Sequence, residues 1–294
     1  MTVPARPSQP GRPGRAPLTS QPPPSIRLTS SIRLTRPTLL AVAHGTREPE
    51  GVATTEAVVA RVRELRPELR VERCFLDLVT PSLPEALARL RGEVVLVPLL
   101  LGAGYHVRVD IPAALADAPH LRARVARALG PDPLLADALR DRLDEAGRRA
   151  QSPPTALVLA AAGSTDPAAN ADAAAMAGLL RARLPGAPPV VPAYLCAAGP
   201  TPAEAVAALR AEGHERVAVA AYLLGPGFFA RRAAHSGARS GACLTSAPLG
   251  AHDALANLVT LRYDEAVADA PEIRRRGPLG GRTGAYSGRM LTPG

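Results

Sequence analysis

The chain repeats itself. ALVLAAAG (156–163) restates LLAVAHG (39–45), and VVPAYLCAAGPTPAEAV (190–206) restates VERCFLDLVTPSLPEAL (71–87). RVAVAAYLLGPGFF (216–229) restates EVVLVPLLLGAGYH (93–106), and APLGAHDALANLVTLRYDEA (247–266) echoes RALGPDPLLADALRDRLDEA (127–146). The offsets are 118, 119, 123 and about 120. Four segments recurring in order at nearly one spacing are an internal duplication, so whatever the first half folds into, the second folds into again. With 294 residues there is room for two lobes, each able to bury its own core.

Within each half, apolar runs of strand length alternate with helical stretches, the pattern of a parallel α/β sheet. In the first half, strands are predicted at 38–43, 71–78 and 93–101, with a fourth at 125–130. Helices are predicted at about 51–65 and 82–90, and an amphipathic one at 133–147. A polar, proline-bearing link at 148–155 precedes the second round. The expected fold class is therefore α/β, two similar parallel-sheet lobes over 37–150 and 151–268, flanked by tails at 1–36 and 269–294.

Charge matters only through its position. The net charge is +9, yet residues 1–36 hold six arginines and no acid, and residues 271–294 hold five arginines and one acid. The tails carry +6 and +4, leaving about −1 for the rest, so the basic excess belongs to the tails. Both are expected to be disordered and solvated. Aromatics make up 3% and Trp is absent, which leaves little for base stacking, so no nucleic-acid partner is expected. Cys74, Cys196 and Cys243 are isolated and odd in number, which excludes a disulfide framework or a zinc knuckle. No apolar run reaches membrane-span length and the N-terminus lacks a signal-peptide pattern, so a cytoplasmic protein with no membrane partner is expected.

Three polar groups stand at the carboxyl ends of the first three strands. His44 follows the first, Asp77 lies near the end of the second, and His106 follows the third in the loop GAGYHVRVDIP. If these strands are parallel neighbours, all three reach the crevice where open α/β sheets bind ligands. Two imidazoles and a carboxylate suit a divalent first-row metal with a coordination position left open. At the equivalent places the second half has Ala162, Cys196 and Phe229, so the candidate groups are gone while the frame remains, which assigns the chemistry to the first lobe. Gly102 and Gly104 keep the third loop bare for close approach of a flat ligand. Arg47, Arg108 and Asp110 lie near the histidines, and arginine forks suit carboxylates. His120, His214, His235 and His252 are expected to be structural.

The segments AHGTR, FLDL…PSLPEAL and VPLLLGAGYHVRVDIP resemble the sirohydrochlorin chelatase family, class II tetrapyrrole chelatases in a two-lobe form. The resemblance covers about 38–268. It implies insertion of Fe²⁺ or Co²⁺ into sirohydrochlorin or a related tetrapyrrole, in siroheme or cobalamin biosynthesis, in a cleft between the lobes. Iron comes first by family prevalence. The metal is a substrate, and neither a nucleotide nor a permanently bound cofactor is implied. His44 and His106 match the two family histidines that handle metal and protons, and Asp77 stands where many members have glutamate, one methylene longer. Gly45, Arg47, Gly102, Gly104, Tyr105 and Arg108 are the corresponding substrate-binding candidates, and a monomer is expected. A histidine phosphatase would need an arginine just before the histidine, where this chain has Ala43. A non-catalytic metal or tetrapyrrole carrier is the alternative.

Overall fold

In TLLAVA successive side chains point to opposite faces of a strand. Leu39, Ala41 and Ala43 join one apolar core and Leu40 and Val42 another, so β1 (Thr38–Ala43) is buried on both faces. Strands covered on both sides read as unbroken apolar runs, as this one does. The structure, a computed structural model, describes residues 2, 36–148 and 152–269. The two tails expected to be disordered lie outside the described residues, apart from Thr2, Arg36 and Asp269.

After β1 the first half continues through α1 (Pro49–Leu65), β2 (Val71–Phe75), α2 (Leu83–Arg89) and β3 (Gly92–Pro98). A π-helical turn over His106–Asp110 leads into α3 (Ile111–Ala116), β4 (Leu121–Val125) and α4 (Pro133–Gly147). The second half runs β5 (Ala156–Ala161), α5 (Pro167–Arg183), β6 (Val190–Tyr194), α6 (Pro202–Ala211), β7 (Val217–Tyr222), α7 (Phe228–Arg239), β8 (Leu244–Thr245) and α8 (Asp253–Ala268). Each half makes a four-stranded parallel sheet, ordered β2-β1-β3-β4 and β6-β5-β7-β8. The registers match as well. Leu39 faces Val71 and Thr38 faces Val94 in the first sheet, while Leu157 faces Val190 and Ala156 faces Val217 in the second. The spacings 118, 119 and 123 that relate the two sequences thus also relate the two ladders. Even the caps recur: Ser82 with Glu85 and Thr201 with Glu204 close reciprocal capping boxes at the starts of α2 and α6.

Two expectations about the fourth strand and the loops need correction. The strand predicted at 125–130 lies at Leu121–Val125. Residues 126–130 are an exit loop, apolar because Ala126, Ala128 and Leu129 are buried in it, with Ala126 N–H on the Leu96 carbonyl and Leu129 N–H on the Leu100 carbonyl. His106, expected in a loop, opens a helical segment instead.

Each lobe buries an outer core of its own, but the largest core is shared between them. That central core takes Val58 and Leu139 together with Leu157 and Met176, and the outer cores lie behind each sheet. The reason is an exchange of final helices: α4 packs on β7 and β8 of the second sheet, and α8 packs on β3 of the first. Each exchanged helix is pinned by an arginine. The fully buried Arg262 on α8 donates from Nε to the Ala128 carbonyl (3.0 Å) and from Nη2 to the Leu129 carbonyl (2.7 Å) and Asp132 Oδ2 (2.7 Å). Its counterpart Arg142 on α4 donates from Nε and Nη2 to the Leu249 carbonyl, at 3.0 and 2.9 Å. No helix among the described residues is long and apolar enough to cross a membrane.

Candidate functional site

β1 and β3 are neighbours, and the chain leaves β1 for opposite sides of the sheet, to β2 and later to β3. That is a topological switch point, where the strand ends open a crevice. His44 follows β1 directly. The residue after it must be glycine: Gly45 has φ +100°, and a Cβ there would lie 1.9 Å from the Asp77 carbonyl oxygen. The Asp77 N–H in turn bonds the His44 carbonyl at 3.0 Å, so the β1 exit and the β2 exit hold each other.

His106 begins the π-helical turn, which the Ile111 N–H closes on the His106 carbonyl. Such turns re-aim side chains and recur at functional sites. Here the turn stacks Asp110 on His106, with Nδ1 and Oδ2 2.6 Å apart. A carboxylate only accepts, so Nδ1 carries the proton, and Nε2 is the ring nitrogen turned toward His44. That Nε2 lies 3.2 Å from His44 Nε2, with the rings nearly perpendicular at 84°. Metal–nitrogen bonds of about 2.1 Å put two ligands of one ion roughly 3.0–3.4 Å apart, so the pair is spaced to hold one cation between them.

The histidines open onto a cleft of about 900 Å³ lined by both lobes. Ala162, Cys196 and Phe229, the counterparts of His44, Asp77 and His106, line it from the second lobe. The backbone frame persists there without the chemistry: Gly163 has φ +89° and a Cβ on it would lie 2.0 Å from the Cys196 carbonyl oxygen.

A model of the CbiX family matches residues 38–146 and again residues 156–266. The chain belongs to the CbiX family. Over 144 residues it is 31% identical to a sirohydrochlorin cobaltochelatase of Priestia megaterium, covering 46% of this chain and 47% of that protein, so the chain spans about half the length of that relative. Among solved structures, SirB from Bacillus subtilis with Fe³⁺ superposes with a TM-score of 0.65 at 24% identity, over 79% of this chain and 96% of that one, which shows a shared fold. CbiX, described as the terminal enzyme for biosynthesis of siroheme in denitrifying bacteria, superposes with a TM-score of 0.60 at 25% identity, over 78% of this chain and 99% of that one.

In this CbiX-family chain the candidate residues divide. His44, Gly45, Arg47, Gly102, Gly104, Tyr105 and His106 all line the cleft. Asp77 does not join the histidines: no three His, Cys, Asp or Glu side chains converge as a metal group among the described residues. Its carboxylate accepts the Leu78 N–H at 2.7 Å, and its backbone supports the His44 turn. The carboxylate that does meet a histidine is Asp110, which the sequence marked only as a neighbour. The signal was its i, i+4 spacing from His106, meaningful only once that segment is helical.

Arg108 is already engaged. It donates from Nε to the Ala103 carbonyl at 2.8 Å and from Nη2 to Asp166 across the cleft. Arg231 makes the mirrored pair with Glu48, 2.7 Å, and this hydrogen bond holds the Glu48 carboxyl below the usual range. Glu48 and Asp166 are duplication counterparts, as are Arg108 and Arg231, so one ion pair was made twice, crossing the cleft in opposite senses. Arg47 has no ion-pair partner among the described residues. Gly102 and Gly104 face α5 of the other lobe, whose Asp172 accepts the Ala103 N–H at 2.9 Å, so their bareness also serves lobe contact. His252, expected to be structural, caps α8 by accepting the Ala254 N–H.

Proposed function

We propose that the cleft inserts a divalent metal into sirohydrochlorin or a closely related polycarboxylate tetrapyrrole. The observation that carries this reading is the pair of Nε2 atoms 3.2 Å apart at the switch point of one lobe, opening onto a cleft large enough for a flat macrocycle. The family membership and the name of the Priestia megaterium relative support the substrate class.

Metallation must strip water from the cation and remove two pyrrole N–H protons, so a base must stand beside the metal's path. Two imidazoles supply both needs. His44 and His106 hold the incoming cation as weak, exchangeable ligands, and the imidazoles then accept the pyrrole protons as the ion passes to the macrocycle. Asp110 keeps the His106 proton on Nδ1, which orients the ring and turns Nε2 toward the cleft. Arg47, exposed at the rim, is the available partner for a substrate carboxylate. No nucleotide or resident cofactor is invoked, since the metal is a substrate. The metal is Co²⁺ or Fe²⁺; the relative's name favours cobalt, where the sequence resemblance alone put iron first.

The test is anaerobic mixing of the protein with excess sirohydrochlorin and Co²⁺ or Fe²⁺, followed by absorbance. Turnover beyond one equivalent is expected for an enzyme, and a change that stops at one equivalent identifies a carrier. His44→Ala and His106→Ala should each abolish insertion while the far-ultraviolet circular dichroism stays native. A His44→Ala protein with undiminished activity overturns the proposal.

A further inference from the structure

Aromatic side chains are scarce in this chain, five Tyr and three Phe with no Trp, yet six of the eight line the cleft: Phe75, Tyr105, Tyr194, Tyr222, Phe228 and Phe229. Phe75, Tyr194 and Tyr222 are buried and form its walls. Tyr105 and Phe228 differ, at 62% and 60% exposed. They are counterparts by the 123-residue offset, one on each lobe. Each stands one residue after a loop glycine, Gly104 or Gly227, and beside an inner ring: Tyr105 is 6.5 Å from the His106 ring and Phe228 is 5.4 Å from Phe229, centroid to centroid.

A large apolar ring left in water forgoes burial, and such surface marks binding sites when it is grouped. Only five large apolar residues are exposed among the described residues, and three of them, Leu78, Tyr105 and Phe228, line this one cleft. Drift would have little reason to keep an exposed ring at the same place in both lobes when the histidine beside it was kept in one. A ligand with two extended π faces would cover both rings at once, which a compact ion or an aliphatic acid would not.

We infer that Phe228 is a positioning residue of the second lobe: as the counterpart of Tyr105, already a substrate-binding candidate on the first, it receives the other side of a flat conjugated macrocycle whose centre meets the His44–His106 pair. This rests on reading the cleft as a tetrapyrrole metallation site. It assigns the degenerate second lobe a part in substrate binding: having lost its metal-handling groups, it keeps the ring.

The test uses the full chain and sirohydrochlorin without metal, read by quenching of the tetrapyrrole's fluorescence, together with the initial rate of Co²⁺ insertion. Tyr105→Ala and Phe228→Ala should each weaken binding about tenfold and raise KM more than they lower kcat. Tyr105→Phe should recover most of the lost affinity, a rescue that a hydroxyl-mediated role does not give. Thermal melting should be unchanged, because both rings are exposed. If the wild type binds no sirohydrochlorin, the underlying reading falls and this inference with it. If the wild type binds and both alanine variants keep its Kd and KM, the inference alone is overturned, and a loss confined to one variant overturns the two-sided contact.

Discussion

At the scale of single residues, the site turns on which carboxylate belongs to which histidine. Asp110 grips His106 Nδ1 at 2.6 Å, whereas the Asp77 carboxylate accepts a backbone N–H from Leu78. Asp110→Asn should therefore lower the metal-insertion rate about 10- to 100-fold, the usual cost of losing the partner that orients a ligating histidine. Asp77→Asn should cost clearly less, and steady-state rates of the two variants side by side decide between the carboxylates. His44 and His106 were legible in the sequence because each follows a strand and both vanish from the duplicated copy. Asp110 was not, because GAGYH reads as a glycine loop and the helical turn that stacks the two side chains is set by tertiary packing. Cysteine reactivity is a further check: burial pushes the Cys74 thiol up to about 12, and Cys243 is exposed. A thiol reagent at mild alkaline pH should label Cys243 in the native protein and Cys74 only after unfolding, as mass spectrometry of the peptides would show.

At the scale of elements, the duplication carried the likeness of the two sheets and the parallel α/β class. Strand order and register came from the structure alone, because an apolar run buried on both faces does not say which neighbour it pairs with. The fourth strand was misplaced because burial in an exit loop and burial in a strand leave the same apolar trace at 126–130. The destination of α4 and α8 was illegible for a similar reason: an amphipathic stripe says that a helix has an inner face but not which sheet receives it. The structural consequence is testable at Arg262. Removing its guanidinium leaves Asp132 buried without its charge partner, so Arg262→Ala should destabilise the protein by about 3–5 kcal/mol in urea unfolding. Arg231→Ala, which breaks an exposed and solvent-screened ion pair, should move the unfolding midpoint far less in the same assay.

At the scale of the whole molecule, the exchanged helices make the two lobes one body with a shared interior. Segments 36–150 and 151–269 expressed apart should each fail to fold, since each would hold a helix whose apolar face fits only the absent sheet. Co-expressed, they should co-purify as a folded complex with native circular dichroism, because every contact except the linker is restored. The exchange also imposes an order on how the protein comes into being. The inner face of β3 is covered by α8, the last helix of the described chain. During synthesis the first sheet therefore waits, half-clad, until the whole second lobe has left the ribosome. The histidine pair it carries is assembled early in the sequence and completed late in time.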